Sequence, residues 1–294
     1  MKPSVIILTF NSADSLPATL ASVAALSDDI HIVDSGSTDA TLDIARAANA
    51  HILNHPFTNY GTQRNWAIDS IAPRYSWQLH LDADERLTPK LRAQILALPE
   101  SPLVNNLPAE GFFLPRYLQF MGRLLRHNLA PTWHMRLFLN GAGRCEQREY
   151  DQHFLCSGLT ARLTHAMIDD IRMPLTEWTH RHNRWADAEV REILRQREAR
   201  RQSQSSPGQP KLDQVQPSLL GNSIQRKRAL RAYYDNFPLF VRPFALFLYR
   251  YLLMGGFLDG TEGLIFCILQ TLWFRFLIDA KLYEATQFPP PPTS

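Results

Sequence analysis

His80-Leu81-Asp82-Ala83-Asp84-Glu85 puts two carboxylates one residue apart, with a third acid beside them, directly after an apolar run. On an extended segment Asp82 and Asp84 would point to the same side. Oxygen ligands in that arrangement suit a hard divalent cation, and such a cation can clamp a diphosphate. Most Asp-x-Asp pairs are solvated loop acids, so the meaning of this one depends on its company. Three groups precede it: Thr9-Phe10-Asn11, Asp34-Ser35-Gly36-Ser37-Thr38-Asp39 and Gly61-Thr62-Gln63-Arg64-Asn65.

Those groups need a scaffold, and the first hundred residues alternate strand and helix signals. Residues 4–10 form a continuous apolar, β-rich run, as for a buried parallel strand. Residues 11–14 can cap a helix carrying Leu16, Leu20 and Val23. A strand over 29–34 ends in a turn-rich segment, 35–39, before a helix over 40–49. A short strand at 51–53, a helix over 61–71 with Trp66 on its apolar face, and a strand over 75–81 follow. This β-α-β-α-β order predicts a mostly parallel sheet with helices on both faces. Ligands of such sheets bind beyond the carboxyl ends of the strands, where Asp34 and Asp82 both fall. No Gly-x-Gly-x-x-Gly follows the first strand and no Gly-Lys-Ser/Thr loop is present, which disfavours a dinucleotide fingerprint and a P-loop.

Farther along, residues 111–117 and 136–139 read as strands and 127–133 as a polar loop. Residues 187–200 have the composition of a highly charged helix. Residues 202–220, rich in Gln, Ser and Pro, read as a flexible linker. These shifts predict a first part over 1–180, with halves 1–100 and 101–180. A basic helix and linker over 181–232 and a helical region over 233–294 would follow.

The chain has 294 residues, 45% hydrophobic and 20% charged, which predicts a packed globular protein. Its net charge of +3 is unevenly spread. Arg181, Arg184, Arg191, Arg195, Arg197, Arg200 and Arg201 crowd one stretch, and Arg226, Lys227, Arg228 and Arg231 another. Such clusters favour an anionic partner, or are solvated helix faces. They lack a nucleic-acid-binding module, so that partner class is disfavoured. Cys145, Cys156 and Cys267 are odd in number and lack metal spacing, which predicts a reducing compartment without a disulfide framework. The opening residues lack a signal-peptide layout.

Residues 237–288 are dense in Leu, Phe, Tyr and Trp, but charged residues interrupt them. The longest uncharged stretch, 263–274, falls short of the roughly 20 helical residues needed to cross a bilayer. The expectation is amphipathic helices lying in a membrane interface, with aromatics at headgroup depth and arginines on lipid phosphates. The alternative is a helical hairpin packed on the first part or in a dimer.

Taken in order, the four polar groups resemble the inverting glycosyltransferases of family 2, strongly over residues 3–90. The resemblance implies an α/β fold of the GT-A nucleotide-diphospho-sugar transferase class, Rossmann-like and mostly parallel, here with a C-terminal amphipathic helical region. It implies that Thr9 and Asn11 line a nucleotide pocket and that Asp34 accepts hydrogen bonds from the base or ribose. Ser35, Gly36 and Asp39 would fix that pocket by a tight turn, with Asp39 also available as a helix N-cap. Arg64, at a helix N-terminus beside Asn65, suits the diphosphate. Asp84, with Asp82, would hold Mn²⁺ or Mg²⁺ on that diphosphate. An inverting transfer also needs a general base. The matching region offers Glu149, with Glu146 and Asp151 as alternatives, and Arg148-Glu149 departs from the His-Glu of many relatives. His153 and His165 read as structural or substrate-orienting. His134 and Arg136 could line the sugar site or serve the core.

The last third, with Arg242-Pro243-Phe244, Gly255-Gly256-Phe257-Leu258-Asp259-Gly260 and Gly263-Leu264, resembles the tail of lipopolysaccharide-core β-glucosyltransferases. That implies glucose carried by UDP, a glycolipid acceptor, and peripheral attachment to the cytoplasmic face of the inner membrane. Two other readings stand beside it. One is a polyprenyl-phosphate glycosyltransferase of the same fold; the other is a non-catalytic membrane-associated protein with a decayed transferase domain.

Overall fold

The computed structural model describes residues 1–128, 131–147, 152–203, 234–235 and 237–288. They divide into two compact units: residues 1–124, 131–147 and 152–172, and residues 125–128, 173–203, 234–235 and 237–288.

The first unit opens with β1 (Ser4–Thr9), α1 (Leu16–Val23), β2 (Ile30–Asp34), α2 (Thr41–Ala47), β3 (His51–Asn54), α3 (Tyr60–Ser70) and β4 (Trp77–Asp82). β5 (Glu85–Leu87), α4 (Pro89–Ala97), β6 (Leu103–Val104), β7 (Leu107–Phe120), β8 (Arg123–Leu125) and β9 (Thr132–Leu139) follow. β10 (Gly143–Cys145), β11 (Phe154–Cys156), β12 (Leu159–Arg162) and β13 (Met167–Ile171) complete the strands. The main sheet runs β3-β2-β1-β4-β9-β7-β13-β5. Its first four strands are parallel, as expected from the βαβ order. β9 then pairs antiparallel with β4 and β7, and β13 lies parallel to β7.

Side chains of β1 alternate between two apolar layers. Val5 and Ile7 join Ile32, Leu79 and Leu81 under Leu16, Leu20 and Val23 of α1. Ile6 faces the other way, with Val33, Ala67 and Ile71. The register sets Thr9 beside Asp34 and Leu8 beside Asp82, so both acids stand at the carboxyl edge of the sheet.

One expectation is corrected here. Asp82 and Asp84 do not share an extended segment, because the chain turns through Ala83 and Asp84 between β4 and β5. Three bonds fold it. Glu85 Oε2 accepts from the Asp82 N–H (3.1 Å), the Asp84 carbonyl accepts from the Asp170 N–H (2.9 Å), and Thr19 donates to the Ala83 carbonyl (2.7 Å).

The second unit is helical. α5 (Leu175–Ser203) is longer than the charged composition alone suggested. α6 (Arg242–Leu248) leads through a π turn (Tyr249–Leu253) to a helical rod, Gly256–Gln287. The rod joins a 3₁₀ turn (Gly256–Asp259), α7 (Gly260–Cys267), a π segment (Ile268–Trp273) and α8 (Phe274–Gln287). Ala186 and Val190 of α5 pack on Phe274, Ile278 and Leu282 of α8. The rod's 32 residues are long and apolar enough to cross a membrane, which the uncharged stretch read from sequence was not. The rod is longer than that stretch because its helix runs on through charged residues, several of them paired within the unit. Arg242 holds Asp279 (2.9 Å), Arg275 pairs with Glu189 (2.7 Å), and Lys281 pairs with Asp187. Asp259 secures residues 126–128 to the rod by accepting their backbone N–H groups at 3.0, 3.0 and 2.9 Å.

Candidate active site

The carboxyl edge of the first unit carries two polar assemblies. At the first, Asp34 ends β2, fully buried. Thr9 Oγ donates to its Oδ1 (2.8 Å), as does Ser37 Oγ. Its Oδ2 accepts the Gly36 and Ser37 N–H groups (2.9 and 2.7 Å). A carboxylate offers about four acceptor sites, so this conformation leaves Asp34 none for a ligand. Asp34, expected at the base or ribose, here builds the turn. Gly36 takes φ +93°, the left-handed region that glycine enters without steric cost.

Asn11 Oδ1 accepts the Thr38 N–H (2.8 Å), and the Asn11 N–H donates to Ser37 Oγ (2.8 Å). Asp39 accepts from the N–H groups of Ala13 and Thr41 (3.0 Å each). It therefore clasps the loop after β1 to the first residue of α2; the N-cap position itself is Ala40, one residue beyond the expected Asp39. Gln63, buried and unremarked in the sequence, donates to Ser35 Oγ and the His55 carbonyl (3.1 Å each), fixing α3 to this turn.

The second assembly surrounds the Asp82–Glu85 turn. Arg64 Nη2 donates to both Asp82 oxygens (3.0 Å each). Arg136, from β9, bridges Asp82 (2.9 Å) and Glu85 (2.6 Å). Arg116, from β7, reaches Glu85 (3.2 Å) and Asp169 (3.0 Å). Asp169 stands opposite Glu85 in the β13–β5 register. The Asp82 side chain is 27% exposed and that of Glu85 only 1%, so Glu85 is an internal anchor and Asp82 faces solvent. Burial opposes ionisation of Asp82, but Arg64 and Arg136 overcome it and hold the carboxyl well below the usual range. Asp84 shifts the opposite way. Burial, and then the neighbouring Asp169, Asp82 and Glu85 charges, push it well above the ordinary value. Asp169 rises to about 6, through burial and the Glu85 and Asp82 charges, against the pull of Arg116.

Four acids facing three arginines leave one excess negative charge when all are ionised, and no described side chain donates to Asp84. A divalent cation would relieve that repulsion, so the donor set fits one. Among the described residues no three His, Cys, Asp or Glu side chains form a ready cage. A cation held here would take one or two carboxylates and complete its shell from phosphate oxygens and water, the usual Mg²⁺ arrangement.

Asn65, expected at the nucleotide, spends both ends of its amide on the Cys145 backbone (2.8 Å each), tying α3 to β10. Glu146 is buried. Its carboxylate accepts the His153 N–H (3.0 Å) and its own N–H donates to the His153 carbonyl (2.9 Å). Glu149 and Asp151 lie outside the described residues. His134 bonds Thr132 Oγ (3.0 Å) on β9. Arg136, expected at the sugar site or in the core, is buried and joins the acid cluster. Sequence reading missed Arg116 and Asp169, which only the pairing of β13 with β7 and β5 brings to the cluster.

Residues 4–109, within the first unit, match the model of Glycosyl transferase family 2. An uncharacterised glycosyltransferase of Rickettsia bellii is 35% identical over 94 residues, 32% of this chain and 31% of that protein. One from Rickettsia prowazekii is 33% identical over 94 residues, 32% of each chain. The matched region thus spans about a third of the curated relatives' length. Among solved structures, S. aureus TarS aligns with TM-score 0.34 and 20% identity over 48% of this chain and 29% of its own. Glucosyl-3-phosphoglycerate synthase from Mycobacterium tuberculosis, in complex with Mn²⁺, UDP-glucose and phosphoglyceric acid, aligns with TM-score 0.31 and 18% identity over 40% and 44%. The family match and the parallel βαβ sheet bear out the α/β, GT-A class read from the sequence.

Proposed function

We propose that this chain is an inverting hexosyltransferase that moves glucose from UDP to a glycolipid acceptor. The observation that carries the reading is the grouping of Arg64, Asp82 and Asp84 at the carboxyl edge of the parallel sheet, Arg64 coming from the same helix α3 that Gln63 ties to the Asp34 turn. Asp84, with Asp82, would hold Mn²⁺ or Mg²⁺. When bound, the cation neutralises charge on the departing diphosphate. Arg64 and Arg136 keep Asp82 ionised and in place, and Arg64 offers positive charge beside the leaving group. Thr9, Asn11 and the 34–39 turn shape the nucleotide end. In the transfer the acceptor oxygen bonds to the anomeric carbon, the bond from that carbon to the phosphate oxygen breaks, and UDP leaves. The acceptor proton passes to a carboxylate, assigned to Glu149.

The second unit supplies the membrane contact. Phe244, Leu248, Tyr249, Leu252, Leu253 and Phe257 are each at least half exposed. Arg184, Arg191 and Arg195 lie exposed along α5. Apolar groups and cations together suit peripheral attachment to an anionic leaflet, here the cytoplasmic face of the inner membrane.

A thermal-shift screen of nucleotide sugars with Mn²⁺ tests the donor, since a ligand bound to the folded state raises the midpoint. UDP-glucose is expected to give the largest shift, and Asp84→Ala to lose its metal-dependent part. A shift only with another nucleotide refutes UDP. Absence of any shift, together with no donor hydrolysis with or without Mn²⁺, favours a decayed domain. The length of the Gly256–Gln287 rod also supports a second acceptor class, a membrane polyprenyl phosphate. Transfer to that lipid but not to lipopolysaccharide core would establish it.

A further inference from the structure

Two aromatic side chains near the carboxylates have no part in either core layer of the first unit. Phe57 and Tyr60 are 48% and 39% exposed, although both are large apolar rings. Their centroids lie 5.1 Å apart with the rings at 75°, an edge-to-face pair that remains partly exposed. Asn59 fixes the segment by capping α3, its side chain accepting the Thr62 N–H (2.8 Å). Gly61 seats the first turn of α3 closely, since a Cβ there would run into the Glu146 carbonyl.

The pair stands beside the proposed chemistry. The Arg64 guanidinium carbon lies 5.8 Å from the Tyr60 centroid, and the same guanidinium holds Asp82. An acyl chain or an amphipathic helix needs a continuous apolar surface. This patch is small and is bordered by Asn59, Thr62 and Arg64, so it suits a ligand that is apolar on one face and polar at its rim. A pyranose is such a ligand. Its axial C–H groups can lie on an aromatic face while its hydroxyls reach charged neighbours.

Resting on the transferase reading, we propose that Phe57 and Tyr60 form a pyranose-binding platform beside the Arg64–Asp82 pair. The ring it holds is the donor hexose or a sugar of the acceptor, and one experiment separates the two. Saturation-transfer NMR on the full chain uses UDP-glucose with Mg²⁺ in one arm and methyl β-D-glucopyranoside in the other. In Phe57→Ala and Tyr60→Ala, the pyranose saturation-transfer signals should fall about tenfold in at least one arm, and in the UDP-glucose arm they should fall relative to the uridine signals of the same molecule. Loss in the UDP-glucose arm assigns the platform to the donor, and loss in the glucoside arm assigns it to the acceptor. Phe57→Trp and Tyr60→Phe keep a ring and should retain binding, which controls for misfolding. Wild-type pyranose signals that are absent, or that persist equally in both alanine variants, overturn the platform. Missing uridine signals in the wild type would refute the UDP donor instead, and the glucoside arm would then decide the platform alone.

Discussion

Asp84 and Asp82 are near neighbours with opposite needs. Two arginines satisfy Asp82, whereas Asp84 has three acids around it and no side-chain donor among the described residues. Asp84→Asn should therefore raise the thermal midpoint of the metal-free protein, abolish any metal-dependent shift, and lower transfer about a thousandfold. A metal-dependent shift that survives in Asp84→Asn would move the cation elsewhere. Asp169 gives a pH-resolved companion. Its carboxyl rises from 3.8 to about 6, so between those pH values the folded state binds the proton that the unfolded state has released. Stability then falls as pH rises through that window, by about 3 kcal/mol in full. Asp169→Asn removes the penalty, while Arg116 keeps Glu85 at 3.2 Å. Melting in EDTA should show the variant higher by roughly 5 °C at pH 7.5 and equal to wild type near pH 3.5. A difference independent of pH would contradict the assigned titration.

At the scale of elements, α3 is the part on which the site depends. Gln63 ties it to the Asp34 turn, Arg64 to Asp82, and Asn65 to β10. Asn65→Ala strands the buried N–H and C=O of Cys145, a cost of about 2–4 kcal/mol. Denaturant titration should show that loss, together with weaker nucleotide binding from a displaced Arg64; unchanged stability would mean that β10 is held by other bonds. The parallel strands were legible because each is a short apolar run closed by turn residues, and a buried parallel strand needs nothing else. β5 and β13 were not. Glu85-Arg86-Leu87 and Met167-Ile168-Asp169-Asp170-Ile171 are charged as well as short, and they become strands by pairing with each other across the chain. The Arg116–Asp169 pair follows from that long-range register, so no local spacing announces it. The turn at Ala83–Asp84 was hidden for a related reason, since its folding depends on Thr19 and Asp170.

For the whole molecule, the proposed membrane contact of the second unit could take two forms, spanning or interfacial. Arg275, Asp279 and Lys281, which break the apolar pattern in sequence, are paired within the unit, in a rod long enough to span, while Leu252, Leu253 and Phe257 stay exposed. Against spanning, Asp279, Arg275 and Lys281 lie within the rod itself, and their partners Arg242, Glu189 and Asp187 would have to enter the bilayer with them. Desolvating three such pairs in hydrocarbon is costly. An interfacial position leaves the pairs on the aqueous side and submerges only the exposed face that includes Leu253, which is 80% exposed, and Phe257. The protein should therefore sediment with vesicles containing roughly one-third anionic lipid, and more weakly as salt rises. Leu253→Glu combined with Phe257→Glu should release it without lowering the midpoint, because neither side chain is buried. Alkaline carbonate should strip the wild type from native membranes. Retention through that wash would show that the rod crosses the bilayer, and indifference to both vesicles and the double substitution would show that the apolar face meets protein.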